Sequence, residues 1–538
     1  MKKRMFSLII VLSMLIVGIP MIAHAETSGK CGDNLTWTLD DNGTITISGT
    51  GDMINYEYYN LSPFYNDNSI NSVIIEDGVS SIGACAFVGC SNLSSIKIPK
   101  TLTFVGGNAF NDCANLKKLY ITDMAEYLNI DFGNSVTHIL SGSNNKLYLN
   151  DKRVTSIEIP NTVTRIPKFA FCGVDSITDV IIPDSVTSIG DSAFRNCSSL
   201  RYVDIPDSVN VIGHYAFFDC ESLEEIELPK NITYIGNSLF YDCRNLSKIV
   251  LPESIVNIYN YAFSGCWKLT NIKIPNNVTH IGVQAFWDCS NLTSVVLGAE
   301  NIKTIGKEAF YFCGNLTDVY ITNIDNWCNI DFDGYSSSPL YYAKNLYINN
   351  ELTSSIEISD NITELKKYAF NNYCSLNSIA ISQSVRNIGE KAFYNCDGLT
   401  SIYIPDSVLE IETSAFGYCK NIVDVYYGGS EEEWKEMYIG SDNEYLKNAT
   451  LHFNSIALPT AEFSVITEED KVYVKNISEI SGSIAVITTK YNDGILLDIQ
   501  VERMIMLPSE EKYLFIPKNG RIFIWNSLKG MKPLSNEL

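Results

Sequence analysis

Apolar positions in this chain follow a two-part beat that returns every 23 residues over most of its length. The unit from Leu200 to Phe217 reads L-R-Y-V-D-I-P-D-S-V-N-V-I-G-H-Y-A-F. Leu200, Val203 and Ile205 alternate with polar neighbours, the pattern of a short strand with one buried face. Pro206 ends that strand, because proline cannot donate to a ladder. A second apolar group, Val209, Ile212, Ala216 and Phe217, turns back to the same interior, and Cys220 and Leu223 open the next unit. One unit cannot bury both groups alone, whereas stacked copies merge them into a continuous core. The predicted fold class is therefore a β-rich repeat solenoid, with parallel strands about 4.8 Å apart on one face.

The register is carried by Phe87, Phe110, Phe171, Phe194, Phe217, Phe240, Phe263, Phe286, Phe310, Phe370, Phe393 and Phe416, each after alanine except Phe240, which follows Leu239. Most neighbours are 23 residues apart, with one step of 24 and two long steps of 61 and 60. These twelve phenylalanines are the expected structural core. With Ile182-Pro-Asp-Ser-Val-Thr-Ser-Ile-Gly190 and Ile404-Pro-Asp-Ser-Val408, the unit resembles the BspA-like leucine-rich repeat of bacterial and protist surface proteins. The resemblance runs from about Asn71 to Asn454. It implies secretion, surface display and binding to proteins or cells.

The long steps contain near copies. Tyr120-Ile-Thr122 through Asn129-Ile-Asp-Phe132 matches Tyr320-Ile-Thr322 through Asn329-Ile-Asp-Phe332, and Tyr426 to Trp434 with Leu451-His-Phe453 forms a third. They read as elaborated repeats, near 120–158, 320–357 and 426–453, projecting from one edge of the solenoid. Two copies some 200 residues apart suggest duplication of a multi-repeat block.

Outside the repeat region of 71–455, three segments differ. Residues 1–25 read as an export signal: three cations in Met1 to Arg4, an apolar run from Met5 to Ile22, and Ala23-His24-Ala25 as the cleavage site. Residues 26–70 read as an N-terminal β cap, with an alternating hairpin from Trp37 to Ile47 around Asp41-Asn42-Gly43. A solenoid needs such a cap because an open end exposes core and unpaired strand edges. Residues 456–538 carry candidate strands at Val472–Val474, Ile484–Ile487, Ile495–Val501, Tyr513–Ile516 and Ile522–Trp525, which suggest an all-β sandwich-like domain. The ending from Ile522 to Leu534 resembles a C-terminal module of secreted clostridial proteins. No second long apolar stretch follows the leader, so no retained transmembrane segment is expected.

Composition narrows the partners. A net charge of −23 disfavours nucleic acid and anionic membranes, since phosphate attraction needs basic surface. Fifteen cysteines in an exported chain ordinarily suggest disulfides. Ten of them, at 90, 113, 197, 220, 243, 266, 289, 313, 396 and 419, sit three residues after a repeat phenylalanine. Rungs about 5 Å apart exceed the ~3.8 Å Cβ separation of a bridge, so a ladder of free thiols is expected. Cys31, Cys85 and Cys328 lie off that ladder, without an assignment. The four histidines outside the leader are scattered, and the motifs of phosphate-binding loops, dinucleotide folds and serine hydrolases are missing. No catalytic residue, metal or cofactor is assigned.

Two surfaces remain as candidates. The strand positions that alternate with the core place Tyr120, Ile181, Tyr202, Val250, Val296, Tyr320, Tyr403 and Tyr426 outward, and tyrosine suits recognition because it offers area at small entropy cost. The plainer reading is that Tyr and Val are good strand formers. A second row, Phe218, Tyr241, Trp287, Tyr311 and Tyr394, flanks the repeat phenylalanines and could stack on sugars or cover the core's edge. The first expectation is a secreted, surface-associated adhesion protein that binds a protein ligand on host or neighbouring cells. The alternative is polysaccharide or cell-wall binding through the flank aromatics.

Overall fold

In the computed structural model, the described residues are 27–57, 59–133, 144–298 and 300–458, together with six C-terminal strands between 463 and 525. The export signal lies outside them. From Thr44 onward the chain coils through turn after turn, each with three sides. The first side is a strand such as Tyr202–Asp204, paired in parallel with its neighbour, as in Val180↔Val203. The second is a two-residue strand such as Val211–Ile212, also parallel, as in Ile189↔Ile212. The third is the Ala-Phe turn.

Each letter of the repeat now has a physical reason. Leu200, Val203, Ile205, Val209, Ile212, Ala216 and Phe217 are buried. Ser185 and Ser208 donate from Oγ to the carbonyls of Val163 and Val186 one turn earlier, at 2.8 Å each. Gly213 lets two turns approach: a Cβ there would stand 2.5 Å from the backbone nitrogen of Asp191.

The third side is the most regular. The rings of Phe194 and Phe217 stack at 5.5 Å and 2°, those of Phe263 and Phe286 at 5.2 Å and 5°. Such parallel pairs add to area burial. Residues two before and two after each repeat phenylalanine hold positive φ, for example Tyr215 at 60° and Asp219 at 56°. Left-handed backbone costs a non-glycine residue about 1 kcal/mol or more. The conformation persists because it aims alternate N–H groups at the next turn: Tyr215, Phe217 and Asp219 donate to the carbonyls of Asn237, Leu239 and Tyr241 at 3.0, 3.1 and 2.7 Å.

All fifteen cysteines are free. The ladder thiols are not idle: Cys220 Sγ donates to the Phe194 carbonyl at 3.1 Å, Cys243 to Phe217 at 3.1 Å, and Cys419 to Phe393 at 2.9 Å. Each rung thus ties the aromatic column of one turn to the next. Burial pushes the thiols of Cys197, Cys220 and Cys266 well above the usual range, so they remain protonated donors. Val174 and Tyr373 take the cysteine position in two turns, and both are buried. Cys31 and Cys328 are core residues, Cys85 is half-buried, and Cys374 is exposed.

The elaborated repeats correct an expectation. They do not project; among the described residues they turn inward. Helices Met124–Leu128, Ile324–Cys328 and Glu431–Glu436 replace part of a turn, capped by Asp123, Asn323 and Ser430. Tyr127, Leu128, Ile130 and Phe132 are buried in the first, as are Trp327, Cys328, Ile330 and Phe332 in the second, and Trp434 in the third. Trp327 Nε1 donates to the Ala369 carbonyl at 2.9 Å, and Tyr127 Oη bonds the equivalent carbonyl of Ala170. The chain then returns to the first side in register, at Lys146–Leu149, Asn345–Ile348 and Thr450–His452.

The N-terminal strands Ser28–Lys30, Leu35–Leu39 and Thr44–Gly49 are antiparallel, and the last pairs in parallel with Ser72–Ile75 to start the coil. Trp37 closes the core edge-on to Phe64 at 5.3 Å, and Phe64 stacks on Phe87 at 4.9 Å, so the aromatic column begins one turn before the repeat phenylalanines. The C-terminal strands form two three-stranded antiparallel sheets, one of which contains Phe463–Glu468, a strand the sequence pattern did not suggest.

Phe217→Ala should destabilise the solenoid by about 3–5 kcal/mol, read from the shift of its denaturation midpoint. A shift typical of surface sites would place the ring outside the core. Thiol titration after denaturation without reductant should find all fifteen thiols. In the native protein Cys374 should react first, and a count well below fifteen after denaturation would mean that ladder rungs pair.

Candidate binding surface

The outer face of the first side carries the strand-face candidates. Ile181 and Tyr202 are each 48% exposed, Val250 is 68% exposed, and Val296 is also exposed. Tyr120, Tyr320 and Tyr426 are half-buried, each for the same reason. Their rings stack on an aromatic of the strand that returns from an elaborated repeat: Tyr148 at 4.5 Å, Tyr347 at 4.4 Å and His452 at 4.5 Å. His452 is held in turn by Asp424, 2.8 Å from Nε2. Tyr148, Tyr347 and His452 were missed in the sequence, although K-L-Y-L and N-L-Y-I are visibly similar segments.

Tyr403 corrects another expectation. Read as outward, it is only 6% exposed. Its hydroxyl accepts a bond from Gln383 Nε2 at 3.3 Å and lies 3.3 Å from where a Cβ of Gly428 would be. The glycine leaves room for the ring to lie along the sheet, covered by its neighbours.

The face has a seam. Between the turn of Leu200 and the turn of Leu223, neither parallel ladder is paired among the described residues. The preceding turn makes Arg201 N to Thr178 O at 2.9 Å and Gly213 N to Ile189 O at 2.8 Å; the equivalents from Glu224 and Gly236 are missing. A Cβ at Gly236 would meet its nearest atom at 3.1 Å, on the side chain of His214, against 2.5 Å to backbone at Gly190 and Gly213. Asp204 and Glu227 occupy equivalent strand positions across the opening, where like charges repel. Asn231 stands where Ser185 and Ser208 tie other turns, but Asn301 does too, and its turn keeps both ladders paired. At the seam the turns stay joined by the third side, with Phe217 and Phe240 stacked at 5.8 Å. They are also joined by side chains that replace the ladder bonds: Lys230 N donates to Asp207 Oδ1 at 3.1 Å and Asn237 N to His214 Nδ1 at 2.8 Å. Over the seam lies a groove of about 450 Å³ lined by Tyr202 to Ile205, Glu225 to Glu227 and Lys248 to Val250.

The flank aromatics are half-buried and mostly engaged with one another. Phe218 stacks on Tyr241 at 4.7 Å with the Arg195 guanidinium 4.5 Å from its ring. Trp287 and Tyr311 meet Phe312 at 5.4 and 4.3 Å, and Tyr394 meets Tyr418 at 5.2 Å. The sequence reading missed Trp267, which carries Arg244 at 4.8 Å and donates from Nε1 to Asp288 at 2.8 Å.

A repeat of this spacing, with serine, glycine, Ala-Phe and cysteine each in a defined structural role, matches the family described as "BspA type Leucine rich repeat region (6 copies)" over residues 59–140, 143–255, 212–338 and 342–464. The chain belongs to that family. Among solved structures, this BspA-type protein is similar to a leucine-rich repeat protein from Eubacterium ventriosum, at 22% identity and a TM-score of 0.42 over 73% of this chain and 94% of that one. A leucine-rich repeat protein from Bacteroides ovatus shares 23% identity, with a TM-score of 0.43 over 78% and 98%. A leucine rich cell surface protein from Faecalibacterium prausnitzii shares 25%, with a TM-score of 0.33 over 76% and 96%. No curated protein sequence matches the chain.

Among the described residues, no helix is long and apolar enough to cross a membrane, and no group of three or more His, Cys, Asp or Glu side chains could hold a metal ion. The BspA-type architecture is that of a repeat protein suited to binding, and its two candidate surfaces differ in how freely their side chains stand.

Tyr202→Ala should change stability by no more than about 0.5 kcal/mol, as at ordinary surface sites. Tyr403→Ala should cost about 2–4 kcal/mol, closer to a core truncation. Thermal unfolding of the two variants checks both, and equal effects would contradict the difference in burial.

Proposed function

We propose that the protein is exported and acts at or beyond the cell surface as a binding protein, not an enzyme, with a protein partner held against the outer face of the first side. The carrying observation is the contrast between the two candidate surfaces. On the strand face, Ile181 and Tyr202 stand exposed on paired strands on one side of the seam and Val250 on the other, with no side-chain hydrogen bond among the described residues. Large side chains fixed by a ladder lose little entropy on binding. The leader of residues 1–25 and the surface proteins of its family support export. Adhesion to host or neighbouring cells is the role that this location and surface suit.

Glycan binding is the second reading, and one observation favours it. The stacked pairs Tyr120–Tyr148, Tyr320–Tyr347 and Tyr426–His452 recur at equivalent places, with interplanar angles of 15°, 11° and 11°. Three similar aromatic platforms along one face would suit a repeating polymer. The flank row supports it less, since its rings largely cover one another.

Capture of partners from intact cells, run beside a glycan array, separates the readings. Tyr202→Ala should weaken binding to a captured protein by about 1–4 kcal/mol where that tyrosine is a hot spot. Trp287→Ala and Tyr311→Ala should change it less. Loss of affinity confined to the flank variants, or array binding lost in Tyr320→Ala with no protein captured, would replace the first reading with the second.

A further inference from the structure

The seam sits inside the proposed binding face, and its chemistry is specific. The outward strand positions from Ser156 to Glu227 include Glu158, Asp179, Asp204, Glu225 and Glu227 and no cation. The next cations on the face are Lys248 and Lys273, and the latter is engaged by Glu253 at 3.1 Å. None of Asp204, Glu225 or Glu227 makes an ion pair or side-chain hydrogen bond among the described residues. Carboxylates elsewhere do, such as Asp207 with Lys230 at 2.7 Å. The groove is therefore lined by three carboxylates and one ammonium, that of Lys248, while Lys230, paired with Asp207, acts on Glu227 from outside the lining.

Three further features point to one kind of occupant. The open ladder leaves backbone N–H groups, such as that of Glu224, and C=O groups on its lips without an inter-turn partner, and an extended backbone offers both complements. Ile181, Tyr202 and Val250 flank the groove as exposed apolar area that the stem of a long side chain could cover. The groove is lined by three successive strands, so an extended segment laid in it would meet residues of all three. A guanidinium or ammonium on such a segment would meet the carboxylates and carbonyls together, and would relieve the repulsion between Asp204 and Glu227. We propose that the seam grips a basic, extended segment of a partner protein, with Lys or Arg side chains set over Asp204, Glu225 and Glu227. This rests on the strand face being the binding face.

Calorimetric titration of the full chain with an acetylated, amidated Lys-Val alternating octapeptide tests the assignment. Binding should weaken steeply with added salt. It should fall at least tenfold in Kd for the Asp204→Asn, Glu225→Gln, Glu227→Gln triple variant, while a Glu-Val octapeptide should not bind. Hydrogen exchange should show new protection at residues 202–205 and 224–228. The triple variant should melt no lower than the parent, since it removes like charges, and this separates lost binding from lost folding. Equal affinity in parent and triple variant, protection confined to other turns, or no binding at all would overturn the assignment. If a captured partner still needs Tyr202 while the octapeptide ignores the three acids, the seam assignment falls and the strand-face reading stands. If the octapeptide needs the acids but no strand-face tyrosine affects a captured partner, the strand-face reading falls alone.

Discussion

Everything in this solenoid leans on the contact between one phenylalanine ring and the next. The column runs from Phe64 through the repeat phenylalanines, resuming after each elaborated turn, with centroid separations near those of Phe87 and Phe110 at 5.4 Å. It supplies apolar burial, and around it lie the backbone bonds of the third side and the thiol-to-carbonyl bonds of the cysteines. At the seam the third side persists where the other two lose their ladders. The first ladder lets go between Val203 and Ile226 and the second between Ile212 and Ile235, yet Phe217, Tyr215 and Asp219 remain bonded to the following turn. At the elaborated turns the roles reverse: the aromatic column is interrupted, while the first-side strands Lys118–Ile121 and Asp318–Ile321 pair onward with Lys146–Leu149 and Asn345–Ile348.

That division of labour links fold to function. Because the third side keeps the stacking, the first side can vary its outward residues and even its pairing without losing the coil. Acidic residues can gather at Asp204, Glu225 and Glu227, and aromatics can pair at Tyr120 and Tyr148. The elaborated repeats serve the same end from within. Trp327 and Tyr127 bond the carbonyl before Phe370 and Phe171, so the core continues across an irregular turn and the next strand returns in register.

How much of this was legible beforehand depended on whether the signal was local. The phenylalanine and cysteine columns were readable because their spacing is regular and their chemistry is the same in every unit. The freedom of the thiols also followed from spacing, though not their bonding to carbonyls, which needs the turn's actual path. Tyr403 was misplaced because its position obeys alternation, while the space that buries it comes from Gly428 one turn later. The elaborated repeats were recognisable as copies, but a five-residue helix is too short to show which face is apolar, so their inward direction was hidden. The seam left only a faint trace in the aligned units, Asp204 and Glu227 at equivalent positions, because Asn231 in place of serine recurs as Asn301 in a turn whose ladders both pair.

The paired left-handed residues have a consequence for how such a protein can diversify. Across the twelve turns of the repeat phenylalanines, the positions two before and two after the phenylalanine hold residues as different as Ser192, Lys391, Glu308, Asp242, Phe312 and Gly265, and never valine, isoleucine or threonine. Branching at Cβ is what positive φ tolerates least. In a chain otherwise rich in those residues, the two columns form a lane where size, charge and aromaticity are open to drift while one feature of side-chain shape is closed. Variation along that edge is therefore filtered by stereochemistry rather than by polarity.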